Sequence, residues 1–305
     1  MTFTLSLTMP FDHVHLGDEF GTTRAVRECA EAAERAGFWS ATVTDHPVPS
    51  ARWLEAGGHY AQDPFVMLSM MAMATSRLRL QTNIVVLPYR NPFVTARAVS
   101  SLDAFSEGRI VLGMGAGYLK AEYKALGVDF DSRNDLMDEY IAAMKLAWTG
   151  EDFVFEGTGY SAPGNRMLPK PKQSPHPMLL VGGNSKRALR RTVEHADAWH
   201  PVFLSPVVTQ TSRTAQLATD EDLAASIRYM EEYAVKIGRK EPPKVIFSST
   251  FTIKPGWGTQ EALDVYARLK SLGVSGAGAN IVADSRSEWC EAADRFGREV
   301  IARLS

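Results

Sequence analysis

The run Leu78–Tyr118, LRLQTNIVVLPYRNPFVTARAVSSLDAFSEGRIVLGMGAGY, limits the possible folds more than any other stretch. It holds two almost wholly apolar segments, Leu78–Leu87 and Arg109–Gly113, separated by a helix that Asn91-Pro92 opens with an N-cap and a proline at the first helical position. A strand without a polar side is covered on both faces, as in a parallel sheet flanked by helices. Ligands of such α/β proteins gather at the C-terminal ends of the strands. The unusual residues sit at those ends: Thr82-Asn83 interrupts the first strand, and Gly113, Gly115 and Gly117 close the second.

The unit recurs. Strands are predicted at Phe3–Met9, Trp39–Thr44, Leu78–Leu87, Arg109–Gly113, Met178–Val181, Ala198–Val202, Lys244–Ile253 and Gly276–Val282, and each is followed by a segment of helical period. Thr22-Thr23 opens the first helix and Gly37 stops it. Asp63-Pro64 opens a Met-rich helix reaching Ser76, and Ser132 with Asp135 suggests a capping box for Leu136–Trp148. Eight βα units over residues 1–305 predict an α/β fold of one domain, a single (β/α)8 TIM barrel. A doubly wound sheet with a second domain is the alternative, although no composition break divides the chain. Glu151–Pro177, rich in glycine and proline, predicts an excursion after the fourth βα unit that lies over the strand ends. With loop 46–62 it would wall the pocket. Thr209–Thr219 is polar without a period and predicts a mobile loop.

A formal net charge of -2 gives no reason to expect nucleic acid or an anionic membrane as partner. Lys186, Arg187, Arg190 and Arg191 form one basic cluster, either a solvated helix face or a phosphate contact. Cys29 and Cys290 read as isolated, reduced packing thiols of a cytoplasmic protein. The N-terminus reads as a first strand, and no apolar run approaches the ~18 residues that a membrane span needs. No pair of histidines with a carboxylate has a metal-like spacing, so no metal is expected.

Six blocks, in order, are similar to the bacterial luciferase-like monooxygenase superfamily: Thr44–Pro47, LPYRNP at Leu87–Pro92, Ser101–Tyr118, Glu122 before Leu126-Gly127, VGGNS at Val181–Ser185 and DAWHP at Asp197–Pro201. The resemblance covers nearly the whole chain and is nearest the branch that uses the deazaflavin coenzyme F420. It implies a barrel, a flavin or deazaflavin at the C-terminal face, a small-molecule substrate and a homodimer. The expected activity is an F420-dependent oxidoreductase. An FMN-dependent monooxygenase and a non-catalytic flavin-binding protein are the alternatives. Two positions depart from relatives: luciferases place a phosphate-assisting arginine where Ala116 stands, and deazaflavin alcohol and sugar-phosphate dehydrogenases carry an acid where Tyr118 stands.

An imidazole can donate or accept a proton near neutral pH, which makes His46 the candidate for the proton that accompanies hydride transfer; the resemblance makes it face the cofactor ring. Asp45 would orient His46, bond the ring, or simply cap its loop. Thr82-Asn83 matches the family's bulge with a non-prolyl cis peptide behind the ring; an ordinary polar layer inside the barrel is the other reading. Gly113, Gly115 and Gly117, flanking Ala116, suggest backbone brought close to a flat ring because no side chain intervenes. Tyr118 would stand beside it as hydrogen-bond donor or aromatic wall. Gly182, Gly183, Asn184 and Ser185 open a helix whose free N–H groups suit a phosphate, with Arg187 near; otherwise they are a turn with Asn184 as N-cap. His200 reaches the cofactor or packs. Trp53 and His59 are expected to line the substrate pocket.

Overall fold

The computed structural model describes residues 3–204 and 215–304, so most of the loop predicted at Thr209–Thr219 lies outside the described residues. The chain enters through β1 (Thr4–Thr8), and Thr22 then caps α1 (Thr23–Ala36), accepting the Ala25 N–H. α1 turns Val26, Cys29, Ala30 and Ala33 into the core and stops at Gly37, whose φ of 88° suits a residue without a Cβ. β2 (Ser40–Val43) follows, then a loop holding α2 (Ala51–Glu55). Asp63 caps α3 (Pro64–Ala74), which ends two residues short of the predicted Ser76.

The strand expected over Leu78–Leu87 is two strands, β3 (Arg79–Thr82) and β4 (Val85–Val86), followed by a 3₁₀ turn at Leu87–Tyr89. Asn83 and Ile84 bulge between them across a cis peptide. α4 (Pro92–Phe105), capped by Asn91, leads to β5 (Ile110–Gly115), the short α5 (Lys120–Ala125) and α6 (Arg133–Trp148). The expected capping box at Ser132 and Asp135 is absent. Ser132 has a helical backbone and gives its N–H and hydroxyl to Asp129, while Asp135 pairs with Arg187.

β6 (Phe153–Gly157) and β7 (Tyr160–Asn165) form an antiparallel hairpin. It packs on the outer flank of the barrel, with Phe153 and Tyr160 each 5.4 Å from Phe93 of α4. The chain then follows α4 down to Gln173, which bonds Asp103 and the Ile110 carbonyl at the start of β5. The excursion therefore does not lie over the C-terminal strand ends. Its aromatic residues pack on Phe93 of α4 and Tyr140 of α6.

β8 (Met178–Gly182), α7 (Lys186–His195), β9 (Ala198–His200) and α8 (Asp220–Lys236) continue the alternation, α8 opening with a Thr219/Asp222 capping box. The predicted seventh strand is interrupted: β10 (Lys244–Val245) pairs with β9, and β11 (Phe251–Ile253) pairs with the last strand, β12 (Gly276–Ile281). Between them the chain leans over Gly278, where a Cβ would stand 1.5 Å from the Ser248 carbonyl oxygen. α9 (Thr259–Ser271) precedes β12 and α10 (Arg286–Phe296) follows it.

The strands form one parallel sheet in the order β10-β9-β8-β5-β3-β2-β1-β12-β11. An Ile246–Gly276 bridge, with Ser275 N donating to Val245 O at 2.8 Å, joins its two ends. The architecture is the single eight-stranded α/β barrel that the alternation implies. Among the described residues no helix is long and apolar enough to cross a membrane.

Candidate active site

The strand ends meet at one rim. Thr82 donates its hydroxyl to the Gly113 carbonyl at 2.6 Å, holding the bulge against β5. A Cβ on Gly113 would stand 2.1 Å from the Thr82 carbonyl oxygen, one on Gly115 2.1 Å from Ile84 Cδ1, and one on Gly117 2.5 Å from Val86 Cγ1. The space beside these glycines, where a side chain would stand, is thus filled by residues 82–86. Between them, Ala116 uses its carbonyl to accept the Tyr123 hydroxyl at 2.5 Å.

His46, just beyond β2, is 8% exposed. Its Nδ1 lies 3.0 Å from Glu122 Oε2, and the same oxygen accepts the Tyr89 hydroxyl at 3.0 Å. Glu122 Oε1 accepts the Val48 N–H at 3.2 Å. Burial, together with the Glu122 charge, pushes the Tyr89 phenol well above its ordinary pKa, so it remains a donor. A fully buried carboxylate with three donors fixes Nδ1–H on the imidazole and leaves Nε2 as the nitrogen free for chemistry. Tyr118 stands edge-on to His46 with ring centroids 6.3 Å apart. Trp53 and His59 close over the same ring at 4.7 and 4.9 Å.

Asp45 does not orient His46. Its carboxylate holds Arg90 through both oxygens at 2.5 and 2.9 Å and accepts the Val86 N–H at 3.0 Å. It therefore locks the end of β2 to β4, the loop-capping role among the three considered. Glu122, Tyr89 and Arg90 were not singled out by sequence reasoning. Glu122 and Arg90 were visible only as members of similar blocks, because their partners lie 76 and 45 residues away.

His200 ends β9 fully enclosed. Burial pushes its pKa down to about 4 despite the hydrogen bond to a carbonyl. Nδ1 lies 2.6 Å from the Ile246 carbonyl and must donate there. Nε2 faces the Asn83 side-chain amide, whose Oδ1 stands 2.9 Å away and accepts the Ser248 hydroxyl at 3.1 Å. These three side chains tie the bulge to β9 and to the interrupted seventh strand.

At the end of β8, Gly183 has a φ of 104° and Trp199 Nε1 donates to its carbonyl at 2.8 Å. Ser185, rather than Asn184, is the N-cap of α7, accepting the Ala188 N–H at 3.2 Å. Asn184 instead donates to the carbonyls of Val202 and Ala215 at 2.9 and 3.1 Å. The first-turn N–H groups of α7 point where an anion would be favoured. Arg187 does not join them, because its guanidinium pairs with Asp138 at 2.6 Å and Asp135 at 2.5 Å. Arg191, 3% exposed, also pairs with Asp138, so the basic cluster is neither wholly solvated nor free for phosphate.

A cavity of about 240 Å³ opens between these elements, lined by Thr8, Asp12, Thr42–Thr44, His59, Asn83 and Ser248. The barrel, the mouth histidine held by a buried carboxylate, and the cavity beside them make this rim the candidate active site of an α/β barrel. A family model described as "Luciferase-like monooxygenase" matches residues 1–297, and the chain belongs to this family. It is 35% identical over 167 residues to an F420-dependent glucose-6-phosphate dehydrogenase of Gordonia bronchialis, covering 52% of this chain and 47% of the relative. It is 31% identical over 178 residues to an FMNH(2)-dependent dimethylsulfone monooxygenase of Pseudomonas putida, covering 57% and 47%. The chain thus spans about half the length of these curated relatives. In fold it is similar to the monooxygenase RslO1 from Streptomyces bottropensis, with a TM-score of 0.81, 19% identity and coverage of 99% and 100%. The family holds both F420- and FMN-dependent members.

Proposed function

We propose that this protein transfers a hydride between coenzyme F420 and a small organic substrate. The observation that carries this reading is His46, enclosed at the barrel mouth with Nδ1 committed to Glu122 and Nε2 left to hold or release one proton. When bound, the deazaflavin supplies a ring carbon that gives or takes hydride. The residues present fit such a group. The backbone at Gly182–Ser185 suits its phosphate, and the bulge at Asn83-Ile84, braced by His200 and Ser248, gives its ring a fixed wall. Trp53 and His59 shield His46 from water, and Tyr118 borders it.

Ala116, in place of the luciferase arginine, favours the deazaflavin over FMN. Tyr118, in place of an acid, leaves proton handling to His46. An FMN-dependent monooxygenase is the second reading, supported by the similarity to the dimethylsulfone enzyme. A cytoplasmic homodimer completes the proposal. Its contact would be the outward side of α3 and α4, where Met73 is 90% and Phe105 88% exposed.

Titration with F420 and with FMN, under air and under nitrogen, tests the reading. Expected is F420 binding with oxygen-independent redox change across an alcohol and aldehyde panel. Tight FMN binding with oxygen uptake overturns it, and binding without turnover makes the chain a carrier. His46→Ala should keep cofactor affinity and lose roughly 10²–10⁴-fold in turnover. Glu122→Gln should lower kcat with little change in cofactor affinity. Unchanged turnover in His46→Ala removes His46 from the chemistry.

A further inference from the structure

The two cysteines are not isolated. α1 and α10, the first and last long helices, lie side by side, and two ion pairs set their register: Arg286 Nε with Glu28 Oε2 at 2.7 Å and Arg35 with Asp294 Oδ2 at 3.3 Å. Between those pairs the buried Cys29 thiol neighbours the sulfur of Cys290, and each perturbs the other. Cys290 Sγ also lies 3.9 Å from the Glu28 carbonyl oxygen. Cys290 is half-buried and borders an open groove of about 540 Å³ whose walls carry Arg24, Arg35 and Arg286 together with Glu19, Glu28 and Glu31. One sulfur is thus reachable from solvent, and the other waits behind it.

We propose that Cys29 and Cys290 form a reversible dithiol–disulfide site, in which a peroxide reaches Cys290 from the groove and Cys29 resolves the product into a bond joining the first helix to the last. In the first step the Cys290 thiolate forms an S–O bond to one peroxide oxygen as the O–O bond breaks; Cys290 is oxidised by two electrons to a sulfenic acid and the other peroxide oxygen leaves as hydroxide. The Cys29 sulfur then attacks the sulfenic sulfur. An S–S bond forms, and the Cys29 proton departs with the displaced hydroxide as water. A reducing thiol reverses the bond by exchange.

The two thiols differ in the way this order needs. Interaction with Cys290, together with burial, pushes the Cys29 thiol up, and the same interaction, with Arg35 nearby, holds Cys290 below its ordinary value. Glu28 and Asp294 oppose that effect, but each is paired with an arginine.

The test uses the full chain, exposed to hydrogen peroxide, alkylated and read by intact mass and thiol titration. Both thiols should disappear together with the loss of two hydrogens in mass, and dithiothreitol should restore them. The oxidised chain should melt higher than the reduced one. In Cys29→Ala the Cys290 sulfenic acid should persist and be trapped by dimedone, whereas in Cys290→Ser the Cys29 thiol should resist the same dose. Oxidation of Cys290 to sulfinic acid beside a free Cys29, disulfides only between chains, or two unreactive thiols would each overturn the proposal. None of these readouts depends on the cofactor or on turnover.

Discussion

His200 and His46 end strands of the same ring, yet burial gives them different work. An unfolded histidine titrates near ~6.5, whereas His200 in the fold titrates at about 4. Between those two values the unfolded chain binds more protons, so acid favours unfolding. Stability from this group is fully present above the unfolded value, falls as pH drops below it, and is spent near the folded value. The loss is on the order of 3 kcal/mol. Melting temperature measured from pH 7 to 4.5 should therefore decline more steeply in wild type than in His200→Gln. Parallel slopes would show that the His200 ring is not kept neutral by the fold.

At the scale of the elements, the bulge after β3 and the glycines of β5 are one device. Gly113→Ala drives a Cβ into the Thr82 backbone, and Gly115→Ala drives one into the end of the Ile84 side chain, which can turn away. Overpacking costs roughly 1–3 kcal/mol, and the backbone clash should lie at the top of that range with the side-chain clash near its bottom. Chemical denaturation distinguishes them, and Ile84→Val should rescue Gly115→Ala but not Gly113→Ala. Equal destabilisation, or no rescue, would contradict this packing. The two apolar stretches and the N-cap/proline helix starts were legible in the sequence, because each is written in local spacing; the bulge came from the resemblance, at Thr82-Asn83, and its cis peptide lies one residue later, at Asn83-Ile84. What filled the glycine spaces was not, since it depends on the register of β3 against β5. Glu122 hid for the same reason: in a short segment with Lys120 and Lys124 a lone carboxylate reads as solvated until His46 is brought to it. The excursion misled because glycine and proline signal irregular chain without saying which side of the barrel it covers.

For the molecule as a whole, the alternation of elements carried the barrel, and the family similarity carried the chemistry; neither exposed the pairing of Cys29 with Cys290 or of Arg187 with Asp138. The outward side of α3 and α4 makes a prediction of its own. Met73→Glu combined with Phe105→Glu should convert a dimer in sedimentation velocity to a monomer while leaving the melting temperature within a few degrees. A wild-type chain that sediments as a monomer, or a double variant that stays dimeric, rejects that surface as the contact. The aromatic cover of the mouth has another consequence. Because the Trp53 indole rests directly on the His46 imidazole, any planar guest that slides between them must part the two rings, and the emission of that indole should report arrival and departure without an added dye.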